Sequence, residues 1–149
     1  MKVAIGADHR GFEQKRELSQ KIRGWGHEVM DCGSLSTEPC DYPEIAFKVA
    51  AAVGEAECER GILLCMSGVG MCIAANKVTG IRAALCKDAE IARLSRQHND
   101  ANVLVLAAGR DGRIDDEIVH AWLTTEFEGG RHQRRVDRIT EFEQKKGKP

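Results

Sequence analysis

Short apolar runs alternate with amphipathic segments along most of this 149-residue chain. The apolar runs are typical of strands that helices cover on both faces, and they predict strands over residues 2–7, 27–32, 61–65, 81–86 and 102–107. Strands of this kind separated by helices indicate parallel β–α–β units. The predicted fold is therefore a three-layer α/β/α sandwich, Rossmann-like, with a five-stranded parallel sheet.

Glycine, proline and acidic residues punctuate the segments between these strands. Helices are predicted over residues 12–24, 43–54, 70–77, 88–97 and 115–125, and Pro43 suits the first turn of the second of them. An extra C-terminal helix over about residues 133–145 has no strand of its own. We expect this helix to pack on a neighbouring subunit, and the whole chain, 1–149, to be a single domain.

Composition narrows the possible functions. A formal net charge of -1 argues against nucleic-acid binding, and the apolar runs are far shorter than the roughly 20 residues that span a bilayer. The first residues are too quickly polar for a signal peptide, so we expect a cytoplasmic protein whose six cysteines are thiols. No C-x-x-C pair or zinc-finger spacing occurs among them, so no metal is expected.

The segment 61–77 carries the strongest chemical signal. Cys65 ends a predicted strand, and Ser67, Gly68 and Gly70 follow before a helix begins. A loop of this kind directs backbone N–H groups and the positive end of a helix dipole at a ligand. A thiol at that position can act as a nucleophile or as a proton-transfer base. The residues alone leave open that Cys65 is a buried core cysteine.

The two glycines of this loop allow other interpretations. The segment lacks the ending of a P-loop and the last glycine of a dinucleotide-binding fingerprint. Asp88 nevertheless stands about where a ribose-binding acid would lie, so a nucleotide-binding module stays possible, as does a plain tight turn.

Polar residues elsewhere offer further candidates. We expect Asp8 and His9 after the first strand, and His98 and Asn99 before the fifth, to lie with Cys65 beyond the carboxyl ends of the strands. Asp8 is alternatively a helix N-cap, and His98 a helix-terminal histidine. Arginines near residues 131–135 form either a phosphate clamp or a solvated cationic face.

Taken together, several motifs resemble the family of ribose-5-phosphate isomerase B, which includes the galactose-6-phosphate isomerase subunits. The motifs are Asp8-His9, Asp41-Tyr-Pro43, Cys65-x-Ser-Gly-Val-Gly70, Ile73-Ala-Ala-Asn-Lys77, Ser95-Arg-Gln-His-Asn-Asp100 and Gly129-Gly-Arg-His132. The resemblance runs from residue 2 to about residue 143. It implies an aldose–ketose isomerase that acts on a small sugar phosphate through an enediolate, without metal or organic cofactor.

The resemblance also implies a role for each matching residue. Cys65 is expected to move a proton between C1 and C2, and His98 to assist ring opening with Asp8. The enediolate oxygen is expected to be stabilised by Ser67 and by the N–H groups of the next three residues, Gly68, Val69 and Gly70.

Sugar and phosphate contacts follow from the same resemblance. The residues expected to contact the sugar are Tyr42 and Asn99, and those expected to hold the phosphate are His9, Arg110, Arg131 and Arg135. Since the two C-terminal arginines are expected from the other subunit, the resemblance implies a homodimer or a dimer of dimers with shared sites.

One departure from the family bears on the substrate. The family usually has glycine after the cysteine, whereas this chain has Met66, whose side chain is expected either to crowd the sugar or to require a shifted backbone. Ribose 5-phosphate and ribulose 5-phosphate are the expected substrates. The alternatives are a six-carbon sugar phosphate (allose 6-phosphate or galactose 6-phosphate), a nucleotide-binding module, and a sugar-phosphate sensor without turnover.

Overall fold

The computed structural model describes residues 1–109 and 112–146, and these ranges contain five strands and six α-helices. The strands are Lys2–Ala7 (β1), Glu28–Asp31 (β2), Arg60–Cys65 (β3), Ala83–Leu85 (β4) and Val103–Ala107 (β5). The helices are Phe12–Gly24 (α1), Tyr42–Gly54 (α2), Val69–Ala75 (α3), Ala89–Asn99 (α4), Asp116–Thr124 (α5) and Arg131–Lys146 (α6). None of the described helices is long and apolar enough to cross a membrane.

The strands form one parallel sheet in the order β2-β1-β3-β5-β4. Helices α1, α4 and α5 pack on one face, and α2 and α3 pack on the other, which confirms the predicted three-layer fold. The connection after β1 leads to β2 on one side of the sheet, and the connection after β3 leads to β4 on the other side, so the two connections diverge. Ligands bind at such divergence points, beyond the carboxyl ends of the strands.

Helix α2 packs very close to the sheet, and its direction places its first residue at the carboxyl edge of the strands. A Cβ atom at Gly6 or at Gly61 would lie 2.8 Å or 2.7 Å from methyl groups of Val49, so glycine is required on both strands opposite this helix. Because α2 runs antiparallel to the strands, its first residue, Tyr42, lies at their carboxyl edge.

At the opposite, amino edge of the sheet, the buried Arg60 caps the C-terminal end of α5. Its Nη1 donates to the carbonyl oxygens of Trp122 and Leu123, both at 2.8 Å, and its guanidinium lies 5.4 Å from the Trp122 ring centroid. These carbonyls belong to the last turn of a helix, where no backbone N–H is available to them.

We expect Arg60→Met to lower the free energy of unfolding by about 2–4 kcal/mol, because buried carbonyls lose their donors. Urea denaturation followed by circular dichroism measures the change. The matched control is Arg93→Met, which removes an exposed arginine that lies 3.5 Å from Glu117. An exposed pair of this kind contributes about 0–1 kcal/mol. Equal denaturation midpoints for the two variants contradict the assigned role of Arg60.

Candidate active site

A pocket of about 240 Å³ opens at the carboxyl ends of β1 and β3, where the two connections diverge. Its lining comes from the residues after these strands and from the start of α2: Asp8, His9, Arg10, Cys40, Tyr42, Cys65, Met66, Ser67 and Gly70. Seven of these nine lining residues are predicted site residues, since only Arg10 and Cys40 were not expected there.

Cys65 is the last residue of β3, and its sulfur has a backbone donor. The N–H of Gly68 lies 3.1 Å from Cys65 Sγ and donates to it. Gly68 has a φ of 76°, which suits glycine, and a Cβ at this position would collide with Leu85. The turn therefore places an N–H dipole where it stabilises negative charge on the sulfur.

The loop after Cys65 also binds part of its own backbone. Ser67 Oγ accepts the N–H of Val69 at 3.3 Å, so the N–H groups of Gly68 and Val69 both have partners inside the loop. This differs from the expectation that the N–H groups of residues 68–70 all face a ligand, because the left-handed turn directs the first of them back to the strand end. The Ser67 hydroxyl can still donate its own hydrogen.

Asp8 and His9 enter the pocket from the end of β1. Asp8 Oδ1 accepts the N–H groups of Arg10 and Gly11 at 3.0 Å and 3.1 Å, so Asp8 caps a short 3₁₀ turn over His9–Gly11. It is not the N-cap of α1, as the alternative predicted, because this turn intervenes and Gly11 takes that position. His9 Nδ1 accepts the N–H of Cys40 at 3.3 Å. The neutral His9 ring therefore carries its proton on Nε2, which makes that nitrogen a hydrogen-bond donor.

Tyr42 and Gly70 form the wall across from these residues. A Cβ atom at Gly70 would lie 2.6 Å from Cζ of the Tyr42 ring, so the absence of a side chain at Gly70 makes room for the tyrosine. Tyr42 is exposed and its hydroxyl lies near the first turn of α3. The aromatic ring therefore forms part of the pocket lining beside the Cys65 loop.

His98 and Asn99 lie at the opposite edge of the sheet from the pocket. They end α4, which runs antiparallel to the strands, and Nε of Arg82, the residue before β4, donates to the Asn99 carbonyl at 3.0 Å. The expectation that they share an edge with Cys65 is wrong within one chain, because a helix between parallel strands returns the chain to the amino edge.

The predicted phosphate arginines accompany His98 rather than the pocket. The His98 ring stacks on His132 in α6 with ring centroids 4.2 Å apart, and Arg131 and Arg135 are exposed on the same first turns of that helix. Burial lowers the pKa of His132, and the charges of His98 and Arg131 lower it further. The remaining predicted phosphate residue, Arg110, lies outside the described residues.

Arg10 and Cys40 are the pocket residues that sequence reasoning missed. Arg10 Nη1 lies 2.9 Å from Met66 Sδ, so an exposed guanidinium stands over the residue that departs from the family. Cys40 contributes its N–H to His9 and its thiol to the wall. Each directly adjoins a motif that the sequence had singled out, and this adjacency was the available signal.

The thiols away from the pocket have different surroundings. All six cysteines lie within the described residues and are free. Burial raises the pKa of Cys32 and of Cys86 to about 11, and it also raises the pKa of Cys58 and of Cys72. These four thiols therefore stay protonated near neutral pH, as expected for packing residues.

A larger groove beside α2 does not suit a phosphate. It measures about 870 Å³ and lies between the loop after β2 and the helix. Its charged lining residues are six acids and one lysine: Asp31, Glu38, Asp41, Glu44, Glu55, Glu57 and Lys48. The excess of carboxylates repels an anionic ligand, so the smaller pocket is the candidate active site.

The two residues that suggested a dinucleotide-binding site already have hydrogen-bond partners within the chain. Asp88 caps α4, where its Oδ1 accepts the N–H of Ile91 at 2.8 Å, and the Gly68 N–H is bound to the Cys65 sulfur. Neither group is therefore free for a ribose or a pyrophosphate in this arrangement.

Comparison with known proteins agrees with this geometry. The family described as Ribose/Galactose Isomerase matches residues 3–139. The chain is 49% identical to ribose-5-phosphate isomerase B of Escherichia coli, over 97% of this chain and 98% of that protein. It is 41% identical to D-erythrulose-4-phosphate isomerase of Pectobacterium atrosepticum, over 96% of this chain and 95% of that one.

A solved structure gives the same result. Ribose-5-phosphate isomerase B of Clostridium thermocellum is 49% identical, with a TM-score of 0.93 over 99% of this chain and 100% of that one. Sequence and fold thus agree over nearly the full length of the chain, and the chain belongs to the Ribose/Galactose Isomerase family of enzymes.

Proposed function

We propose that this enzyme interconverts ribose 5-phosphate and ribulose 5-phosphate. The observation that carries the proposal is the Cys65 sulfur, which receives an N–H donor at 3.1 Å inside a pocket that Asp8, His9 and Ser67 also line. A thiolate in this position suits removal of a proton next to a carbonyl group. Relatives named for ribose 5-phosphate support the choice of substrate.

The proposed reaction moves one proton between two adjacent carbons. The Cys65 thiolate takes the proton from C2 of the open-chain aldose, and the electron pair forms the C1–C2 double bond while O1 becomes negative. Ser67 donates its hydroxyl hydrogen toward this oxygen, a contact of the kind that contributes about 3 kcal/mol in an oxyanion hole. The C2 hydroxyl proton then passes to O1, and Cys65 returns its proton to C1 to give the ketose.

The phosphate is assigned to the cationic end of the pocket. His9 offers an Nε2 donor because its Nδ1 is occupied by the Cys40 N–H. The neighbouring Arg10 adds a guanidinium, whose planar donors match phosphate oxygens. This places the reacting C1 and C2 atoms at the other end, near Cys65 and Ser67.

Ring opening requires a second copy of the chain in this proposal. His98 and Cys65 lie at opposite edges of the sheet, and a five-residue strand such as β5 separates these edges by about 17 Å. One sugar therefore cannot contact both residues within one chain. We therefore assign His98, Asn99, Arg131 and Arg135 to the pocket of a partner subunit in a homodimer.

An apolar surface next to the pocket suits such a partner. Val69 and Ile73 on α3 are 51% and 58% exposed, and Leu85 on the edge strand β4 is 37% exposed. Exposed apolar residues that cluster beside a polar pocket mark interaction sites. A measured mass in solution of twice 16.4 kDa, or of four chains for a dimer of dimers, supports the shared site, whereas a monomer with full activity overturns it.

An isomerisation assay over a panel of aldose phosphates tests the function. Turnover of ribose 5-phosphate supports the proposal, and its absence with intact binding indicates a sensor instead. Calorimetric titration with NAD or ATP addresses the nucleotide alternative, for which no heat of binding is expected.

Met66 gives a specific reason to extend the panel to shorter and longer sugars. Its side chain lines the pocket, and one relative is named for a four-carbon substrate, so a shortened pocket favours D-erythrulose 4-phosphate as a second candidate. The ratio of kcat/KM values for four-, five- and six-carbon substrates decides between these assignments.

We expect Met66→Gly to raise kcat/KM for allose 6-phosphate relative to ribose 5-phosphate by about tenfold, because a few methylene groups change discrimination by about 1–3 kcal/mol. The matched control is Met66→Leu, which keeps the volume of the side chain and should leave the ratio within about threefold. An unchanged ratio in the glycine variant rejects Met66 as the residue that limits substrate length.

A further inference from the structure

A second group of chemically active side chains lies at the amino edge of the sheet, far from the pocket. His98 ends α4, His132 lies in the first turn of α6, and Glu128 precedes that helix. Each offers one ligand atom, and these three atoms lie within 4.8 Å of one another. The fold brings His98 close to two residues that lie 30 or more positions away in the sequence.

Two hydrogen-bond acceptors meet in the contact between His132 and Glu128. His132 Nε2 lies 3.6 Å from Glu128 Oε2, and the same nitrogen accepts from Arg131 Nε at 3.5 Å. A nitrogen that accepts from Arg131 presents its lone pair, and the Glu128 carboxylate oxygen is an acceptor as well. Two acceptors that face each other in this way are stabilised by a cation between them.

The donor set is one that zinc prefers. Two imidazoles and one carboxylate, with a fourth position open to water, form a known three-ligand arrangement around Zn²⁺. Ligand atoms in a tetrahedral site lie about 3.3 Å apart, given metal–ligand distances of about 2.0–2.2 Å. The three atoms therefore need to approach by no more than about 1.5 Å, a movement that side-chain torsions supply.

The His98 side chain must make most of this movement. Its ring and the His132 ring are parallel within 7°, and a metal ion lies in the plane of each imidazole that binds it, so the stack must open. His132 is buried and fixed, whereas His98 is half-buried and Glu128 is exposed. Binding therefore turns the His98 ring away from its present orientation.

We propose that His98, Glu128 and His132 form a zinc-binding site, and that zinc bound there inhibits the enzyme by withdrawing His98 from the sugar. The second half rests on the proposed function, in which His98 assists ring opening in the partner's pocket. Zinc in this position acts as a reversible inhibitor and takes no part in the reaction.

Calorimetric titration with Zn²⁺ tests binding on the purified full chain, independently of activity. We expect Glu128→Gln to weaken binding by about tenfold or more, since it removes a ligand charge while keeping the shape of the side chain. The matched control is Glu141→Gln, because Glu141 is exposed to a similar degree, 52% against 50% for Glu128, and lies outside the cluster. Unchanged affinity in Glu128→Gln overturns the site.

Inhibition of ribose 5-phosphate turnover by Zn²⁺ tests the second half. We expect EDTA to restore activity, and Glu128→Gln to need about tenfold more zinc for half inhibition while its activity without zinc is retained. Zinc that binds at Glu128 without inhibiting overturns the regulatory role. If zinc inhibits the unsubstituted enzyme and Glu128→Gln equally, it acts through another group, such as Cys65, and this result also overturns the regulatory role. Loss of all turnover in the absence of zinc speaks against the proposed function and leaves the binding result intact.

Discussion

Replacing Cys65 by alanine is expected to lower kcat/KM for ribose 5-phosphate by about 10²–10⁴-fold, the usual contribution of a positioned acid–base group. The chain should stay folded, because the substitution removes one sulfur from a site at the end of β3 that is next to the pocket. Direct measurement of ribulose 5-phosphate formation, with circular dichroism as a check of folding, gives the result.

A companion variant separates the role of Cys65 from that of a thiol in general. Cys40→Ala removes the other thiol that lines the same pocket and is expected to keep activity within about tenfold. Exchange of the C2 proton with solvent deuterium should vanish in Cys65→Ala and persist in Cys40→Ala. If Cys65→Ala retains more than about a tenth of normal activity, another group is the base.

The layered fold could be predicted because local and global signals agree in this chain. Buried strands such as β3 are continuous apolar runs, and Pro43, Asp88 and Asp115 mark the starts of helices that the structure contains. The order β3-β5-β4 was not accessible in this way, because hydrophobic periodicity does not encode which strands pair. The edge strand β4 is also shorter than the predicted range 81–86, and among the described residues it pairs with β5 alone.

The candidate site was predicted in part for the same reason. Cys65, Ser67 and Asp8 follow strands directly, so chain direction alone places them at the carboxyl edge. The sequence prediction placed His98 at the wrong edge, because His98 precedes β5 and therefore lies at the amino edge of the sheet in its own chain. The cluster of His98 with Glu128 and His132 depends on how α4 meets the segment before α6, a tertiary contact with no local sequence signal.

Mixing two inactive variants is expected to restore activity, because the two halves of the proposed site come from different subunits. One variant is Cys65→Ala, and the other carries both His98→Ala and Arg135→Ala, which damage the amino-edge half. In a mixed dimer, one site combines both damaged halves and the other is intact. Random pairing gives mixed dimers for half of the molecules, so activity should return to about a quarter of the normal value.

A second mixture serves as the control for this experiment. Cys65→Ala and Ser67→Ala both damage the carboxyl-edge half, so each site in their mixed dimer contains one damaged half and no recovery is expected. Native mass spectrometry establishes that mixed dimers form in both mixtures. Mixed dimers of the first pair without recovered activity contradict a shared site and place catalysis within one chain. Recovery in the first mixture alone assigns Cys65 to one subunit and His98 to the other, which is the arrangement proposed from their positions at opposite edges of the sheet.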